Sequence, residues 1–192
     1  MDTRQERREW FAQTRPWDRI APAVIDAILD GITDKVLLES FVLTSVEKGL
    51  VARYEPLGRE SSYEVICAQI SDILCQFGNR EIVSLVKALE AKQLDAAGYI
   101  AFSVANAFES AIALAKNQIA GYVGMAALSV LKGDKAECHD YAELGLSELE
   151  KMKQDPAAQA LRDSTIFPPD ILDQAERQLR SYLGQPRRAS GL

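Results

Sequence analysis

The sequence predicts an all-α protein made of antiparallel helical hairpins stacked on one another. Two observations support this prediction. Apolar residues recur at intervals of three and four through most of the chain, which is the spacing that lines one face of a helix. The segments between these patterns are short and carry glycine, proline, aspartate or asparagine, so consecutive helices should run antiparallel.

Residues 1–19 are predicted to form a charged N-terminal arm. Trp10, Phe11 and Trp17 are embedded there among arginines and carboxylates. Two interpretations stay open for these rings. They could fold back onto the body of the protein as an anchor, or they could project as a docking arm, because aromatic residues surrounded by charge suit interfaces.

The first hairpin is predicted between Pro22 and Gly49. Pro22 suits the first turn of a helix that ends near Gly31, and Thr33 is placed to cap the next helix. A DNA-reading helix-turn-helix has the same outline, but the second helix lacks a basic face. We therefore expect no nucleic acid partner.

A loop or hinge is predicted within residues 50–60, where the helical period is lost and a proline and a glycine occur. Beyond it, Ser61 and Glu64 have the spacing of a capping box. The helix that follows is expected to close at Gly78, and Asn79 is placed to cap the next one.

A long helix is predicted from Asp95 to Lys116 and is expected to be central to the body. Its sequence is apolar except for a few polar residues at three- and four-residue spacing, which would form one narrow strip. These residues are Ser103, Asn106, Glu109 and Ser110.

The clearest hairpin covers residues 117–155. Its first helix is apolar almost all round, which predicts that it is buried on most sides, and its second helix is amphipathic. Gly133 can end the first helix in the left-handed conformation, and Asp134 can cap the second.

This hairpin resembles a tetratricopeptide repeat. That family has an aromatic residue early in its first helix, a large–small residue pair, a Gly-Asp-type turn and small residues in its second helix. The corresponding positions here are Tyr122, Met125-Ala126, Gly133-Asp134, Cys138 and Gly145. The chain departs from the pattern at Tyr141, which falls one residue early, and at Asp155-Pro156, which comes late. The match is limited to residues 117–155.

The resemblance implies a groove on the first helix of this hairpin. By position, the groove would be lined by Ala120, Val123, Ala127, Val130 and Leu131. A peptide or helix of a partner protein would contact these residues, as expected for an adaptor or chaperone. Another helix of the same chain, such as the C-terminal one, could cover them instead, and so could a second copy in a homodimer.

The C-terminal part is predicted to contain a connector, one last helix and a tail. The helix begins at Asp170 and has an apolar face formed by Leu172, Ala175, Leu179 and Tyr182 or Leu183. Repeat arrays need a terminal helix with a polar outer face, and this helix would serve as that cap. Residues 20–183 are then a single all-helical domain, and residues 184–192 a disordered tail.

Composition favours a cytoplasmic protein. The 192 residues are 47% hydrophobic and 26% charged, with a net charge of -6 and a pI near 5.0. This charge argues against nucleic acid and anionic membrane partners, and no uninterrupted apolar run is long enough to span a membrane. The three cysteines suit a reducing compartment. Cys67 and Cys75 lie on one predicted helix, about 12 Å apart along its axis, which is too far for a disulfide.

Catalysis and metal binding have little support in the sequence. His139 is the only histidine, and its neighbours Cys138 and Asp140 point about 100° apart on a helix, so the three cannot share a metal. No catalytic or phosphate-binding motif surrounds a nucleophile. We therefore expect no enzyme activity, no metal and no cofactor.

One alternative to an adaptor is a helical sensor or regulator. Its small-molecule pocket would lie near the helix at 95–116 and would be formed by the aromatic residues Tyr99, Phe102, Phe108 and Tyr122.

Overall fold

The computed structural model describes residues 3–14, 17–57, 62–155 and 170–184. Every regular element in these ranges is a helix, which confirms the predicted all-α class. The α-helices are α1 (Arg4–Ala12), α2 (Pro22–Gly31), α3 (Lys35–Glu47), α4 (Val51–Tyr54), α5 (Tyr63–Glu90), α6 (Leu94–Leu114), α7 (Ile119–Lys132), α8 (Lys135–Gln154) and α9 (Asp170–Leu183). A short 3₁₀ helix, Trp17–Arg19, follows α1.

The chain divides into two compact units, Met1–Gln118 and Ile119–Leu192. Unit 1 holds α1 to α6, and unit 2 holds α7 to α9. The boundary after Gln118 was not among those indicated by the sequence. The hypothesis of a single domain over residues 20–183 stays a prediction. Most of the predicted tail, 185–192, lies outside the described residues, as do residues 58–60 of the predicted hinge.

The aromatic residues of the N-terminal arm are part of the core of unit 1. Phe11 and Trp17 are almost fully buried, and their ring centroids are 4.7 Å apart in an edge-on arrangement. Trp17 also stacks on Tyr54 at 5.7 Å, and Tyr54 stacks on Phe41 at 6.0 Å. Of the two interpretations of the arm, the anchor is therefore right for Phe11 and Trp17. Trp10 is half-buried.

Charge also attaches α1 to α2. Arg4 and Arg8 both pair with Asp26, at 3.0 and 2.8 Å, and Arg4 pairs in addition with Asp30. The Arg4 guanidinium holds the pKa of the Asp30 carboxyl below its usual value. These pairs are partly exposed, so each contributes little, and the buried Phe11 and Trp17 rings stabilise the attachment more.

The two helices of the first predicted hairpin are present as α2 and α3, but they do not pair as a hairpin, because α2 packs mainly on α1, α5 and α6 and α3 mainly on α6. The cap of α3 also differs from the prediction. Asp34, and not Thr33, is the N-cap of α3, and its Oδ1 accepts a hydrogen bond from the Leu37 N–H at 2.8 Å. At the other end of α3, Gly49 has a φ of +65°, and the Leu50 N–H reaches back to the Ser45 carbonyl at 2.8 Å. This is the glycine-terminated helix end that the sequence predicts.

The predicted loop at residues 50–60 is wrong in part, because it contains α4. The sequence here has no period to indicate a helix, yet Val51 and Tyr54 are buried. This short helix places the Tyr54 ring against Trp17. Tertiary packing therefore decides the conformation of a segment whose local sequence does not.

The predicted break at Gly78-Asn79 is wrong, because α5 continues through it to Glu90. The start of α5 also differs, since its N-cap is Ser62 and the Ser62 side chain makes no capping hydrogen bond. Gly78 serves a packing role instead. A Cβ atom built on it would lie 2.7 Å from Cζ of the Phe108 ring of α6, so only glycine lets the two helices approach this closely.

Helix α6 packs against α2, α3 and α5. Its predicted polar strip is largely buried: Ser103, Asn106 and Ser110 are at most 7% exposed. Asn106 Nδ2 and Ser110 Oγ have no hydrogen-bond partner among the described residues. Within the same residues, α6 is the one helix that is long and apolar enough to cross a membrane by length and composition. Half of its apolar window is buried, and core helices of soluble proteins pass the same test.

Unit 2 contains the hairpin that the sequence predicts over residues 117–155. Gly133 has a φ of +76°, and the Asp134 N–H donates to the Ser129 carbonyl at 2.9 Å. The Asp134 side chain then caps α8 by accepting from the Glu137 N–H at 3.0 Å. Glu137 closes the turn further, because its carboxylate accepts from Ser129 Oγ at 2.8 Å and pairs with Lys132 at 2.7 Å.

Helix α9 packs on α7 and α8 with the apolar face that the sequence predicts. Leu179 is fully buried with Ile119, Ala142 and Leu149. The other members of the α9 face are Leu172, Ala175, Tyr182 and Leu183, which pack against this cluster. The role of α9 as the cap of a repeat array stays a prediction.

We expect Gly78→Ala to destabilise the protein and Gly98→Ala to stabilise it. Replacing glycine by alanine in a helix interior is worth about 0.5–1 kcal/mol of stability where space allows. Gly98 lies on α6 with nothing within 4 Å of a built Cβ, whereas a Cβ on Gly78 meets the buried Phe108 ring. The extra methyl group of Gly78→Ala should lower the free energy of unfolding by about 1–3 kcal/mol, because it overpacks the contact with Phe108. Urea unfolding of both variants measures the difference, and equal shifts would show that the α5–α6 contact is not tight.

A second prediction concerns alkaline pH. Burial raises the pKa of Tyr54 to about 12 from its usual 10.0, so the folded protein holds this proton more tightly than the unfolded chain. The resulting stability is complete below about pH 10 and is lost as the pH rises from about 10 to about 12, by roughly 2–3 kcal/mol in all. Tyr54→Phe keeps the ring but cannot titrate.

Urea unfolding between about pH 9 and about pH 11 should therefore show a shallower loss of stability for Tyr54→Phe than for the unaltered chain. Some loss should remain, because burial also raises the pKa of Cys75 to about 12. An unchanged slope in the variant would contradict the assignment to Tyr54.

Candidate functional site

The residues predicted to line a groove form one strip along α7, which we call the α7 strip. At about 100° per residue, Ala120, Val123, Ala127, Val130 and Leu131 fall within roughly 100° of the helix circumference. Ala120, Val130 and Leu131 are exposed, and Val123 and Ala127 are half-buried. The structure thus brings the predicted residues together on a side of α7 that is open to solvent.

The composition of the α7 strip is unusual for an exposed surface. A surface helix ordinarily places charged and polar residues opposite its buried face. Helix α7 has no charged residue from Ile119 to Leu131, so its exposed strip is as apolar as its buried sides. Val130 is 39% exposed and Leu131 37% exposed. The strip is therefore a continuous apolar surface on a side of the helix where polar side chains usually face the solvent.

The C-terminal helix borders this strip but does not cover it. Val123 packs against the buried cluster that includes Leu179 of α9. This cluster also contains Ala142 and Leu149 of α8, so the alternative that another helix of the chain covers the predicted groove stays a prediction. Ala120, Val130 and Leu131 remain exposed beside Val123.

The other residues of the predicted repeat motif lie inside the hairpin. Tyr122, Met125, Ala126, Cys138 and Gly145 are all buried. Gly145 has the role expected of a small residue, because a Cβ built on it would lie 2.8 Å from Tyr122 Cβ and 3.0 Å from Leu179 Cδ1. The small side chain therefore permits α7 and α9 to approach α8 from two sides.

Helix α8 presents acidic side chains on its outer face. Asp140 and Glu143 are exposed and flank Leu144, which is itself 52% exposed. With Ser147 they line a shallow, open depression. Elsewhere on α8 the acidic charge is partly offset, because Glu137 pairs with Lys132 and Glu148 with Lys151.

The aromatic residues of the alternative sensor hypothesis do not share one environment. Phe108 and Tyr122 are buried, and each packs within its own unit, against Gly78 and Gly145 respectively. Tyr99 and Phe102 are 53% and 58% exposed, so neither ring lines a closed pocket. The exposure of these two rings was missed at the level of sequence. Helix α6 is apolar on several sides, so its sequence does not indicate which side is exposed.

The three cysteines and the histidine of the chain are buried. Cys67, Cys75 and Cys138 are free thiols and buried, as the sequence predicts for Cys67 and Cys75. Burial raises the pKa of all three thiols, that of Cys75 to about 12, which keeps them protonated and weakly nucleophilic. His139 is also buried, at 7% exposure. Among the described residues, no three His, Cys, Asp or Glu side chains lie together as a metal site would need.

No protein family, curated protein or solved structure was found to match this chain. The resemblance to tetratricopeptide repeats therefore stays a prediction, although the hairpin on which it rests is present. The case for the α7 strip as a functional site depends on its exposure and composition alone.

We expect the three thiols to be nearly inert in the native protein. At about pH 8, their reaction with a thiol reagent such as Ellman's reagent should be at least about tenfold slower than that of the urea-unfolded chain, because burial limits both access and thiolate formation. Unfolding should release all three cysteines. A rapid native reaction of even one equivalent would reveal an activated cysteine and reopen the question of catalysis.

Proposed function

We propose that this chain is a non-catalytic protein-interaction module, an adaptor or chaperone that binds a helix or peptide of a partner protein on the α7 strip. The observation that carries the proposal is that α7 exposes apolar side chains, and no charged one, along the α7 strip. Exposed apolar surface of this kind is typical of interaction sites.

The spacing of the strip suits a helical partner. Ala120 and Ala127 are two helical turns apart, and Val123 and Val130 follow each of them by three residues. Small side chains at the alanine positions allow a partner backbone to come close, while the valines and Leu131 supply the ridge that packs into its grooves. The partner would therefore present its own apolar residues at intervals of three and four.

The strip is small, which favours a reversible interaction. Its centre consists of two alanines and a half-buried valine, so little apolar area is available there. A second copy of the chain would occupy the same strip, and self-association is therefore measured in the same experiment.

We expect the double variant Val130→Lys, Leu131→Lys to lose at least about tenfold in partner binding while it keeps its helix content. Both side chains are exposed, and lysine is a good helix former that suits the last turn of a helix. Leu144→Lys is the matched control, because Leu144 is an exposed leucine of the same unit that lies outside the strip.

The measurement is retention of partner proteins from a source-cell lysate on each immobilised variant, with circular dichroism and light scattering on the same samples. The proposal predicts proteins retained by the unaltered chain and by Leu144→Lys, and lost by the double variant. Equal retention on all three would refute the strip as the binding site. If the unaltered chain and Leu144→Lys are dimers and the double variant is a monomer, the strip is the site of self-association.

A further inference from the structure

A second exposed apolar surface lies in unit 1, where α3 and α6 pack side by side. Leu43 of α3 is 57% exposed, and Tyr99 and Phe102 of α6 are 53% and 58% exposed. We call these three residues the α3–α6 surface. It belongs to a different unit from the α7 strip and does not depend on the function proposed for that strip.

Specific contacts make these side chains one surface. The Tyr99 hydroxyl donates a hydrogen bond to the Glu47 carboxylate, and Lys48 Nζ lies 5.9 Å from the centre of the Tyr99 ring. Leu43 precedes Glu47 by one helical turn, and Phe102 follows Tyr99 by nearly one turn, so both neighbour this bridge on their own helices. The bridge joins Tyr99 to α3, and helical spacing places Leu43 and Phe102 beside it at the line where the two helices meet.

The chemistry of the surroundings selects a basic partner. The exposed face of α3 carries Glu39 and Glu47, and the first turn of α6 carries Asp95. The nearby cation Lys48 is already engaged, since it lies 3.9 Å from Glu81 of α5 as well as over the Tyr99 ring. Lys35 of α3 is engaged in the same way, because it pairs with Glu39 at 3.7 Å. The carboxylates Glu39, Glu47 and Asp95 therefore outnumber two lysines that already have partners within the protein.

The same carboxylates argue against a second copy as the occupant. Two copies related by a twofold axis would use the same surface, so the carboxylates of one copy would face those of the other. The chain as a whole also carries a net charge of -6, which opposes its association with itself. A segment with positive charge on both sides of an apolar ridge has neither disadvantage.

We propose that the α3–α6 surface docks an amphipathic helix of another protein, in which an apolar ridge is flanked by lysine or arginine. Leucine-sized side chains of the ridge would pack on Leu43 and between the Tyr99 and Phe102 rings. The flanking cations would meet Glu39, Glu47 and Asp95. Together with the α7 strip, this surface would let one chain hold two different partners.

The test uses a pair of synthetic peptides of about 18 residues, which is about five helical turns. Both carry leucines at helical spacing; one has lysines at the flanking positions and the other has glutamates. Fluorescence anisotropy with the full chain measures binding at about 0.1 M and about 1 M salt, between which the screening length falls from about 10 Å to about 3 Å. At low salt, the lysine peptide should bind at least about tenfold more tightly than the glutamate peptide. The lysine peptide should also bind less tightly at high salt than at low salt, because salt screens its charges.

Variants locate the site. Phe102→Ala and Leu43→Ala should each weaken binding of the lysine peptide by about fivefold or more, and Glu39→Gln with Asp95→Asn should reduce its salt dependence. The matched control is Val83→Ala, because Val83 is 55% exposed on α5 of the same unit and points about 200° away from Glu81. It should change the affinity by less than about twofold.

Several outcomes would overturn the proposal. Equal binding to Phe102→Ala and the unaltered chain would mean that the peptide meets only the general negative charge. Loss of binding in Val130→Lys, Leu131→Lys, with none in Phe102→Ala, would assign the peptide to the α7 strip. If light scattering shows a dimer for the unaltered chain and a monomer for Phe102→Ala, a second copy of the chain is the occupant of this surface.

Discussion

Close approach between helices at glycine is the constraint on which both units depend. In unit 1, a Cβ on Gly31 would lie 2.7 Å from Leu114 Cδ2, and a Cβ on Gly78 equally close to the Phe108 ring. Gly145 has the corresponding position in unit 2. Any larger side chain would push the helices apart and open space around buried residues, since protein interiors leave few voids. The glycines thus set the helix separations within each unit.

The elements that the sequence predicts well are those with local causes. The turn between α7 and α8 follows from Gly133 in the left-handed conformation and from the Asp134 cap, and both interactions involve residues only a few positions away. The break predicted at Gly78 fails for the opposite reason. A glycine that ends a helix and one that admits a distant aromatic ring look the same in one sequence, and only the position of Phe108 distinguishes them. Helix α4 was missed for a related reason, because Tyr54 is held by Trp17.

For the candidate surfaces as well, the sequence predicts the features that have local causes and misses those that depend on tertiary packing. Positions of the α7 strip were obtained from a family resemblance, and helical geometry alone places them on one side of α7. Their exposure could not be obtained in that way, because a helix that is apolar all round gives no indication of which side faces water. The same ambiguity concealed Tyr99 and Phe102, which were predicted to line a pocket and which are more than half exposed. Amphipathic α9 has no such ambiguity, and its apolar face was predicted residue by residue.

The composition of α6 has a consequence for the newly made chain. In the folded protein, this helix of 21 residues is enclosed in part by α2, α3 and α5. Before those helices have packed, it is an apolar segment with the length and composition of a membrane span. Packing of α5 on α6 covers part of this apolar surface, which would otherwise be exposed during folding. The turn of a few residues between α5 and α6 favours that pairing, because contacts close in sequence form fastest.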